Sequence, residues 1–239
     1  MKGIQMTKLT DFPITKKWQP QHPDRIQLYS LPTPNGIKAS AMLEETGLAY
    51  EPHLVSFGTD DQLTPEFISL NPNNKIPAII DPNGPNGEAF GLWESGAILI
   101  YLAEKSGMLL STDPVKRHET IQWLMFQMGG AGPIFGQFGF FHKFAGKEIE
   151  DKRPYERYQN ESKRLLGVIN KQLEKSEYIV GDEYSIADLA LWPWVRTLTG
   201  FYAASEELEM SSYKNINTWF EKCMARPASE KSTNIPKRD

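Results

Sequence analysis

The segment that most constrains the fold of this chain is residues 73–77, which read NNKIP and open a short apolar run. Proline has no amide hydrogen, so Pro77 in a strand must lie at its start, at a sheet edge or at a bulge. The bond before a proline is also the one peptide bond for which the cis form is cheap. We therefore predict a cis bond between Ile76 and Pro77 that turns the Ile76 backbone outward, where an extended peptide can pair with it.

A second motif, residues 93–98 (WESGAI), predicts the start of a helix at Glu94 and Ser95. The first amides of a helix have no partner within the helix and attract an anion. An exposed backbone edge beside such an anion site suits a small peptide that carries a carboxylate. Taken singly, the two motifs fit a turn and a capped helix, and it is their combination that favours a binding site.

Composition and charge limit the class of protein. The 239 residues suffice for one large domain or two smaller ones, and the net charge of -4 argues against a nucleic-acid partner. No apolar run is long enough to span a membrane, and no signal-peptide pattern follows Lys2. The single cysteine, Cys223, excludes an intramolecular disulfide and a cysteine-based metal cluster. We expect a cytoplasmic protein without a metal ion.

The patterns divide the chain into four segments. Residues 1–23 hold several prolines and little periodicity, so we predict an extended arm. Residues 24–106 give a βαβ pattern followed by ββα, the order of a thioredoxin-like domain. After a linker at residues 107–113, apolar residues at helical spacing predict an all-helical domain over residues 114–239. The predicted fold class is α/β followed by all-α.

Two features mark the predicted helical domain. Residues 185–188 (SIAD) form a capping-box variant ahead of a helix that is too apolar to lie on the surface. Residues 129–139 are so rich in glycine and proline that a regular helix should be interrupted there. The interruption indicates close backbone packing, and it also offers a kink that would aim Gln137 into a cleft. We predict a mixture of the two.

In this order, the motifs NKIP, WESGAI and SIAD resemble those of the cytosolic glutathione transferase family, over residues 24–228. Residues 33–36 (TPNG), together with NNKIP and the GxGPxxGQ pattern at residues 130–137, further resemble the bacterial Nu class, whose members act mainly on glutathione disulfides. The chain also resembles the related fungal prion-forming nitrogen regulator. The resemblance implies a homodimer that binds glutathione as its cosubstrate.

The resemblance further implies that the Thr33 hydroxyl and the Asn35 amide lie near the glutathione sulfur, at the positive end of the first helix. A hydrogen bond to a charged group is worth about 1.5–3 kcal/mol, which can lower the thiol pKa from ~8.5 by about one to two units. From the residues alone, a simple N-cap turn is the preferred interpretation of this segment. Tyr29, within the first strand, and Ser30, at its end, are weaker candidates.

For the rest of glutathione, the resemblance assigns positions in the two opening motifs. The backbone of Ile76, followed by Pro77, should pair with the cysteinyl part as an added strand. Glu94 should accept a hydrogen bond from the γ-glutamyl amine, and Ser95 with the helix amides should hold the adjacent carboxylate. Both residues can at the same time cap the helix and complement its dipole. Two side chains are candidates for the glycine end, Gln62 and Lys75, although the lysine is equally well a solvated charge.

By the same resemblance, Gln137 and Arg164 of the helical domain bind a second glutathione, or the second half of glutathione disulfide. Arginine suits a carboxylate because its guanidinium donates two parallel hydrogen bonds. The alternative for Arg164 is a pair with Glu161, one turn earlier on a wet helix face, which contributes little to stability.

The expected reaction needs no cysteine of the protein, since Cys223 lies on an apolar helix stripe and should be an inert buried thiol. The thiolate of one bound glutathione would attack a mixed disulfide, release a thiol and leave glutathione disulfide. The predicted function is glutathione-dependent disulfide-bond reduction. Alternatives are conjugation of glutathione to electrophiles with weak peroxidase activity, and a non-enzymatic regulator that binds protein. For the arm, we predict that Trp18, Pro20 and His22 lie across a dimer or over the cleft.

Overall fold

The computed structural model describes residues 8–238, which form two compact units. The first unit combines residues 8–106 with residues 231–238, and the second unit spans residues 107–230.

The C-terminal segment departs from the predicted domain boundaries. The sequence places residues 231–238 in the helical domain, whereas the structure groups them with the first unit. Two contacts explain this. The Ser40 hydroxyl donates a hydrogen bond to the Ser232 carbonyl at 3.1 Å, and Lys231 forms an ion pair with Glu44 at 2.6 Å.

The first unit contains a four-stranded sheet with helices packed on it. In chain order, its strands and helices are β1 (Ile26–Ser30), α1 (Pro34–Thr46), β2 (Tyr50–Leu54), α2 (Pro65–Leu70), β3 (Ala78–Asp81), β4 (Phe90–Trp93) and α3 (Ser95–Ser106). β1 runs parallel to β2 and antiparallel to β3, and β4 runs antiparallel to β3, so the order across the sheet is β2-β1-β3-β4. This arrangement confirms the predicted thioredoxin-like domain. The bond between Ile76 and Pro77 is cis, as predicted.

Helix α1 begins and ends at residues with the expected capping chemistry. The Thr33 hydroxyl accepts a hydrogen bond from the Gly36 amide at 3.3 Å, and Pro34 occupies the first turn, where its missing amide hydrogen costs nothing. At the other end, Gly47 adopts the left-handed conformation (φ 66°), which glycine enters without a steric penalty. α1 lies beside α3, so the first turns of these two helices belong to one packed layer.

The described part of the predicted arm, residues 8–23, is not a free extended segment. Leu9–Asp11 and Pro13–Lys16 form short 3-10 turns. Leu9 and Ile14 are buried in one apolar cluster with side chains of the sheet, of α2 and of the residues that flank two strands, namely Tyr29, Val55, Phe67, Leu70, Ile76, Ala78 and Ile80. The apolar residues of this segment are too few and too irregularly spaced for the sequence to predict the packing. The rest of the predicted arm, residues 1–7, lies outside the described residues.

Trp18 makes its observed contacts within the first unit. Its indole N–H donates a hydrogen bond to the Leu54 carbonyl at 2.9 Å, at the end of the edge strand β2. Its ring packs edge-on against Tyr29 and Phe67. These contacts anchor the segment to the sheet. The placement of Trp18, Pro20 and His22 across a dimer or over the cleft stays a prediction.

Replacing Ile14 with alanine should lower the free energy of unfolding by about 2–4 kcal/mol, since a fully buried isoleucine is lost and a cavity remains. Urea unfolding followed by tryptophan fluorescence measures the change. Lys16→Ala alters an exposed side chain of the same turn and should change stability by less than about 0.5 kcal/mol. If the two variants are equally stable, the segment is not part of the core.

The second unit is helical, as predicted. Its helices are α4 (Pro114–Phe126), α5 (Gly132–Lys143), α6 (Arg153–Gln172), α7 (Ile186–Arg196), α8 (Lys214–Met224) and α9 (Pro227–Ser232), the last of which runs on into the C-terminal segment of the first unit. α7 is buried along nearly its whole length, in agreement with its apolar sequence.

The segment 129–139 passes from a π-helical turn, Gln127–Ala131, directly into α5. A Cβ atom on Gly139 would collide with the ring of Tyr202, so the glycine permits close packing of two helical segments. This confirms the packing part of the prediction. Gln137 is exposed on α5, and its orientation toward a cleft stays a prediction.

The capping box predicted at residues 185–188 is present and extends beyond its own helix. One oxygen of the Asp188 carboxylate accepts hydrogen bonds from the Ser185 amide at 2.9 Å and the Ser185 hydroxyl at 3.0 Å. The other accepts from the Ile179 amide at 2.8 Å and from the Trp219 indole N–H at 2.9 Å. The fully buried carboxylate therefore joins the preceding loop, α7 and α8.

Candidate active site

Three segments that the sequence singled out emerge side by side at one end of the sheet. Ala78 of β3 pairs with Tyr29 of β1 on one side and with Trp93 of β4 on the other. The loop before α1 follows Tyr29 closely, Ile76–Pro77 immediately precedes Ala78, and Glu94 immediately follows Trp93. The pairing of the strands thus gathers residues that are distant in the sequence.

Thr33 and Asn35 lie half-buried at the N-terminus of α1. The N-cap interpretation of Thr33 is confirmed, because its hydroxyl accepts the hydrogen bond from Gly36. A hydroxyl that accepts one hydrogen bond can still donate its own hydrogen, so capping and binding are compatible. The first amides and the positive end of the α1 dipole lie at the same place. An anionic sulfur placed there would be stabilised by the helix as well as by the two side chains.

Gly36 is required for the shape of this loop. A Cβ atom at this position would collide with the backbone carbonyl oxygen of Leu31. A backbone oxygen cannot turn aside as a flexible side chain does, so the end of β1 would have to move. The TPNG motif therefore has a steric reason for its glycine besides the chemistry of Thr33 and Asn35.

Asn71, which the sequence analysis did not identify, holds the loop that leads to Ile76–Pro77. Its side-chain NH₂ donates to the Lys75 carbonyl at 2.5 Å, and its side-chain oxygen accepts from the Asn73 amide at 2.9 Å. Asn71 is buried, and Asn74 within the loop adopts a left-handed conformation (φ 47°). The Asn71 side chain thus fixes the backbone just before Ile76, whose N–H and C=O groups are predicted to pair with a peptide. Its position at the end of α2 resembled an ordinary helix stop.

Glu94 has a backbone conformation that is unusual for a residue with a side chain. Its φ of 74° lies in the left-handed region, and its side chain is exposed, whereas Ser95 beside it is buried and begins α3. Such conformations cost about 1–3 kcal/mol and are concentrated at functional sites. The strained residue separates the exposed carboxylate of Glu94 from the buried hydroxyl of Ser95, and both remain next to the first amides of α3.

Lys38 is a second residue that the sequence analysis missed. It is wholly buried on α1, and its Nζ donates a hydrogen bond to the Ser95 Oγ at 3.3 Å. Burial lowers the pKa of Lys38 to about 7, and the nearby Glu94 carboxylate opposes this shift. In the sequence, a single lysine among helix residues resembles a solvated charge, so no pattern identified it.

The two candidates for the glycine end differ in their surroundings. Gln62 is half-buried, and its Oε1 has no hydrogen-bond partner within residues 8–238. An acceptor without a partner suits a peptide N–H in this orientation of the amide, and a flip of the amide would suit a carboxylate. Lys75 is exposed, in agreement with a solvated charge.

The two candidates for a second glutathione lie in the second unit. Gln137 is exposed on α5. Arg164 on α6 forms two hydrogen bonds with the Glu161 carboxylate, at 2.7 and 2.8 Å, and its side chain is 59% exposed. The surface pair offered as the alternative for Arg164 is therefore present. Binding of a ligand carboxylate by Arg164 would require this pair to open.

Three further expectations from the sequence concern the cysteine, a metal ion and a membrane-spanning helix. Cys223 is fully buried, as predicted. Within residues 8–238, no three His, Cys, Asp or Glu side chains are grouped so as to hold a metal ion. In the same part of the chain, no helix combines the length and the apolar character needed to cross a bilayer.

Two family models match the chain in the positions that the fold suggests. "Glutathione S-transferase, N-terminal domain" matches residues 25–104, and "Glutathione S-transferase, C-terminal domain" matches residues 134–227. The chain belongs to the glutathione S-transferase family, as the three motifs predicted.

Two bacterial relatives are named as disulfide-bond oxidoreductases. The chain is 45% identical over 207 residues to the disulfide-bond oxidoreductase YfcG of Escherichia coli K12, and the match covers 85% of this chain and 92% of that protein. It is 44% identical over 216 residues to the disulfide-bond oxidoreductase YghU of the same bacterium, with 87% and 73% covered.

Solved structures of similar proteins contain glutathione. A glutathione transferase from Burkholderia graminis with two glutathione molecules bound per subunit is 64% identical, with a TM-score of 0.96 over 98% of each chain. A glutathione transferase from Pseudomonas putida with one glutathione disulfide bound per subunit is 61% identical, with a TM-score of 0.95 over 96% of this chain and 100% of that one.

Proposed function

We propose that this protein is a glutathione transferase that reduces disulfide bonds with glutathione. One observation carries the proposal. The N-terminus of α1 with Thr33 and Asn35, the Ile76–Pro77 segment, and the N-terminus of α3 with Ser95 lie next to one another at the same end of the sheet. This arrangement offers donors for a sulfur, a backbone edge for a peptide and an anion site for a carboxylate.

In the proposed complex, Ile76 pairs through its backbone with the cysteinyl residue of glutathione, and Pro77 fixes that edge. Glu94 accepts from the γ-glutamyl amine, and Ser95 with the first amides of α3 holds the neighbouring carboxylate. The binding of the glycine end is assigned to two further side chains, Gln62 and Lys75. The bound tripeptide then places its sulfur at the N-terminus of α1.

The proposed reaction is a thiol–disulfide exchange. Thr33 and Asn35 donate hydrogen bonds to the glutathione sulfur and favour its thiolate, whose proton leaves to solvent. The thiolate attacks the glutathionyl sulfur of a mixed disulfide. A new S–S bond forms as the old one breaks, and the departing thiolate takes up a proton. Glutathione is oxidised to glutathione disulfide and the substrate is reduced to a thiol.

We also propose a second glutathione site in which Gln137 and Arg164 take part. Support comes from the Burkholderia graminis relative with two glutathione molecules and the Pseudomonas putida relative with glutathione disulfide. Because Arg164 is paired with Glu161, its guanidinium must exchange one carboxylate for another when the ligand binds. The free energy that Arg164 contributes to ligand binding is therefore the difference between its interactions with the ligand carboxylate and with Glu161. A change at either Arg164 or Glu161 should alter ligand affinity.

Replacing Arg164 with alanine should raise the KM for the mixed disulfide about five- to tenfold, because a ligand ion pair is lost. Glu161→Gln should lower the same KM about twofold, since the guanidinium no longer has to leave a partner. Steady-state kinetics of both variants measure the two effects. Unchanged KM values in both would show that Arg164 makes a surface pair only, and the second site would then have to be sought elsewhere.

The reductase activity is tested by comparing two substrates at equal enzyme concentration. Turnover of a hydroxyethyl–glutathione mixed disulfide should exceed turnover of an aryl halide. The reverse order would favour the alternative, conjugation to electrophiles. Calorimetric titration with glutathione distinguishes these two enzymatic functions from a non-enzymatic regulator. A protein that binds no glutathione but retains a protein partner would contradict both reduction and conjugation.

We further propose that the protein is a cytoplasmic homodimer, as the family resemblance implies. Several large apolar side chains are exposed on the two units, among them Phe57, Leu63, Val115 and Met125. Covering such side chains in a subunit interface would remove apolar surface from water. Sedimentation equilibrium measures the oligomeric state directly. A monomer at micromolar protein concentration would contradict the proposed homodimer.

A further inference from the structure

Lys38 lies behind the proposed carboxylate site rather than on its surface. The side chain starts from α1, is completely buried, and reaches the Ser95 hydroxyl at 3.3 Å. Ser95 is the first residue of α3 and is itself buried. A buried ammonium thus touches the residue that opens the helix whose amides face the ligand.

This position is unfavourable for a cation unless an anion is close. Removing an ammonium from water is costly, and the positive end of the α3 dipole adds to that cost. An apolar side chain of similar length would fill the same space without this desolvation and dipole cost. Glu94 compensates in part, but its own side chain is exposed to solvent. A carboxylate bound at the first amides of α3 gains from the helix end and from Lys38 together.

We propose that Lys38 is a positioning residue for the γ-glutamyl end of glutathione, where it orients the Ser95 hydroxyl toward the ligand α-carboxylate and adds positive charge behind it. The hydrogen bonds form a chain in which Lys38 donates to Ser95 and Ser95 donates to the carboxylate, and each bond polarises the next. The inference rests on the proposed function, because it concerns the same tripeptide.

A consequence for pH follows from the burial of Lys38, which lowers its pKa to about 7 in the free protein. A bound carboxylate favours the ammonium, so the pKa of Lys38 is higher in the complex. Ligand affinity is then greatest below the free-protein pKa and falls as the pH rises from there to the pKa of the complex. Without the lysine this decrease disappears.

The charged and titratable groups of the described elements packed against α1 lie at different distances from Lys38. Glu94 precedes α3 and is the group whose charge acts on Lys38. On α3, Tyr101 donates a hydrogen bond to Asp81, and Glu104 and Lys105 lie about three turns further along the helix from Ser95. On α1, Glu45 and the Glu44–Lys231 pair lie about two turns from Lys38. The titratable residue of β1, Tyr29, belongs to the apolar cluster around Phe67.

The test is calorimetric binding of S-methylglutathione, which has no thiol to titrate, to the wild-type protein and to Lys38→Met. We expect the dissociation constant of the variant to be about tenfold higher at pH ~6.5, with the pH dependence between pH ~6.5 and pH ~8 lost. In steady-state assays, KM for glutathione should rise while kcat at saturation changes less than about twofold. Lys105→Met, which alters a lysine at the other end of α3, should leave both constants and the pH dependence unchanged.

A second ligand separates positioning from a merely structural role. In γ-aminobutyryl-cysteinylglycine the α-carboxylate is absent, so Lys38→Met should not weaken its binding. Equal losses for both ligands, or no loss for either, would overturn the inference. Lys38→Gln keeps a donor for Ser95 without the charge and serves the same comparison if the methionine variant does not fold. Failure of the wild-type protein to bind S-methylglutathione would instead overturn the proposed function itself.

Discussion

Asn35→Ala should lower kcat/KM for reduction of a mixed disulfide about 10- to 100-fold, because one donor to the glutathione thiolate is lost. The structure places Asn35 in the first turn of α1, where the helix end already favours an anion. The thiol pKa of bound glutathione should rise toward its unperturbed value of ~8.5. The pH profile of kcat/KM and the ultraviolet absorbance of the bound thiolate both report this pKa.

Two further variants define what Asn35 contributes. Asn35→Asp exchanges the amide donor for a negatively charged acceptor of the same size, so it should be at least as slow as the alanine variant. Thr33→Val keeps the shape of the other candidate but removes its hydroxyl and the helix cap. A thiol pKa that is unchanged in all three variants, with glutathione still bound, would show that the loop before α1 does not contact the sulfur.

Asp188→Ala should lower the free energy of unfolding by about 3–5 kcal/mol, a larger loss than we expect for Ile14→Ala. The substitution leaves three buried N–H groups without their acceptor, those of Ile179, Ser185 and the Trp219 indole. Because these groups belong to a loop, α7 and α8, the loss should be felt throughout the second unit. Urea unfolding monitored by circular dichroism measures it.

The same loop offers a control for this prediction. Asp182 is exposed, and among residues 8–238 its carboxylate has a single long contact, of 3.5 Å, with the Glu177 amide. Asp182→Ala should therefore change stability by less than about 0.5 kcal/mol. The loss of unfolding free energy in Asp188→Asn should lie between those of Asp182→Ala and Asp188→Ala. The asparagine retains one acceptor oxygen but turns an NH₂ group toward the donors on the other side. Equal stability of the Asp182 and Asp188 variants would contradict the role assigned to the buried carboxylate.

Much of the fold could be predicted because its elements carry local signals. Period-two and helical patterns gave the βαβ and ββα order, and the SIAD motif gave the start of α7 with its capping box. The bond before Pro77 was predicted as cis and is cis. In each case the determining residues lie within a few positions of one another, so a sequence pattern contains the information.

The parts that the sequence did not predict depend on contacts between distant residues. Ile14 is held by side chains from the sheet and α2, and nothing near it in the sequence reveals a buried position. Lys38 reaches a residue on another helix, so its burial is decided by the packing of α1 on α3. The strand pairing that brings Thr33, Ile76 and Glu94 to one end of the sheet is likewise a property of topology.

The return of residues 231–238 to the first unit has a consequence for synthesis of the protein. Ser40, on the helix that carries Asn35, donates to the carbonyl of Ser232, a residue that follows the second unit in the sequence. A ribosome delivers the chain from the N-terminus, and domains generally fold in that order. Here the domain that emerges first lacks one of its own contacts until the helical unit has also been synthesised, so its final packing must wait for residues that follow that unit.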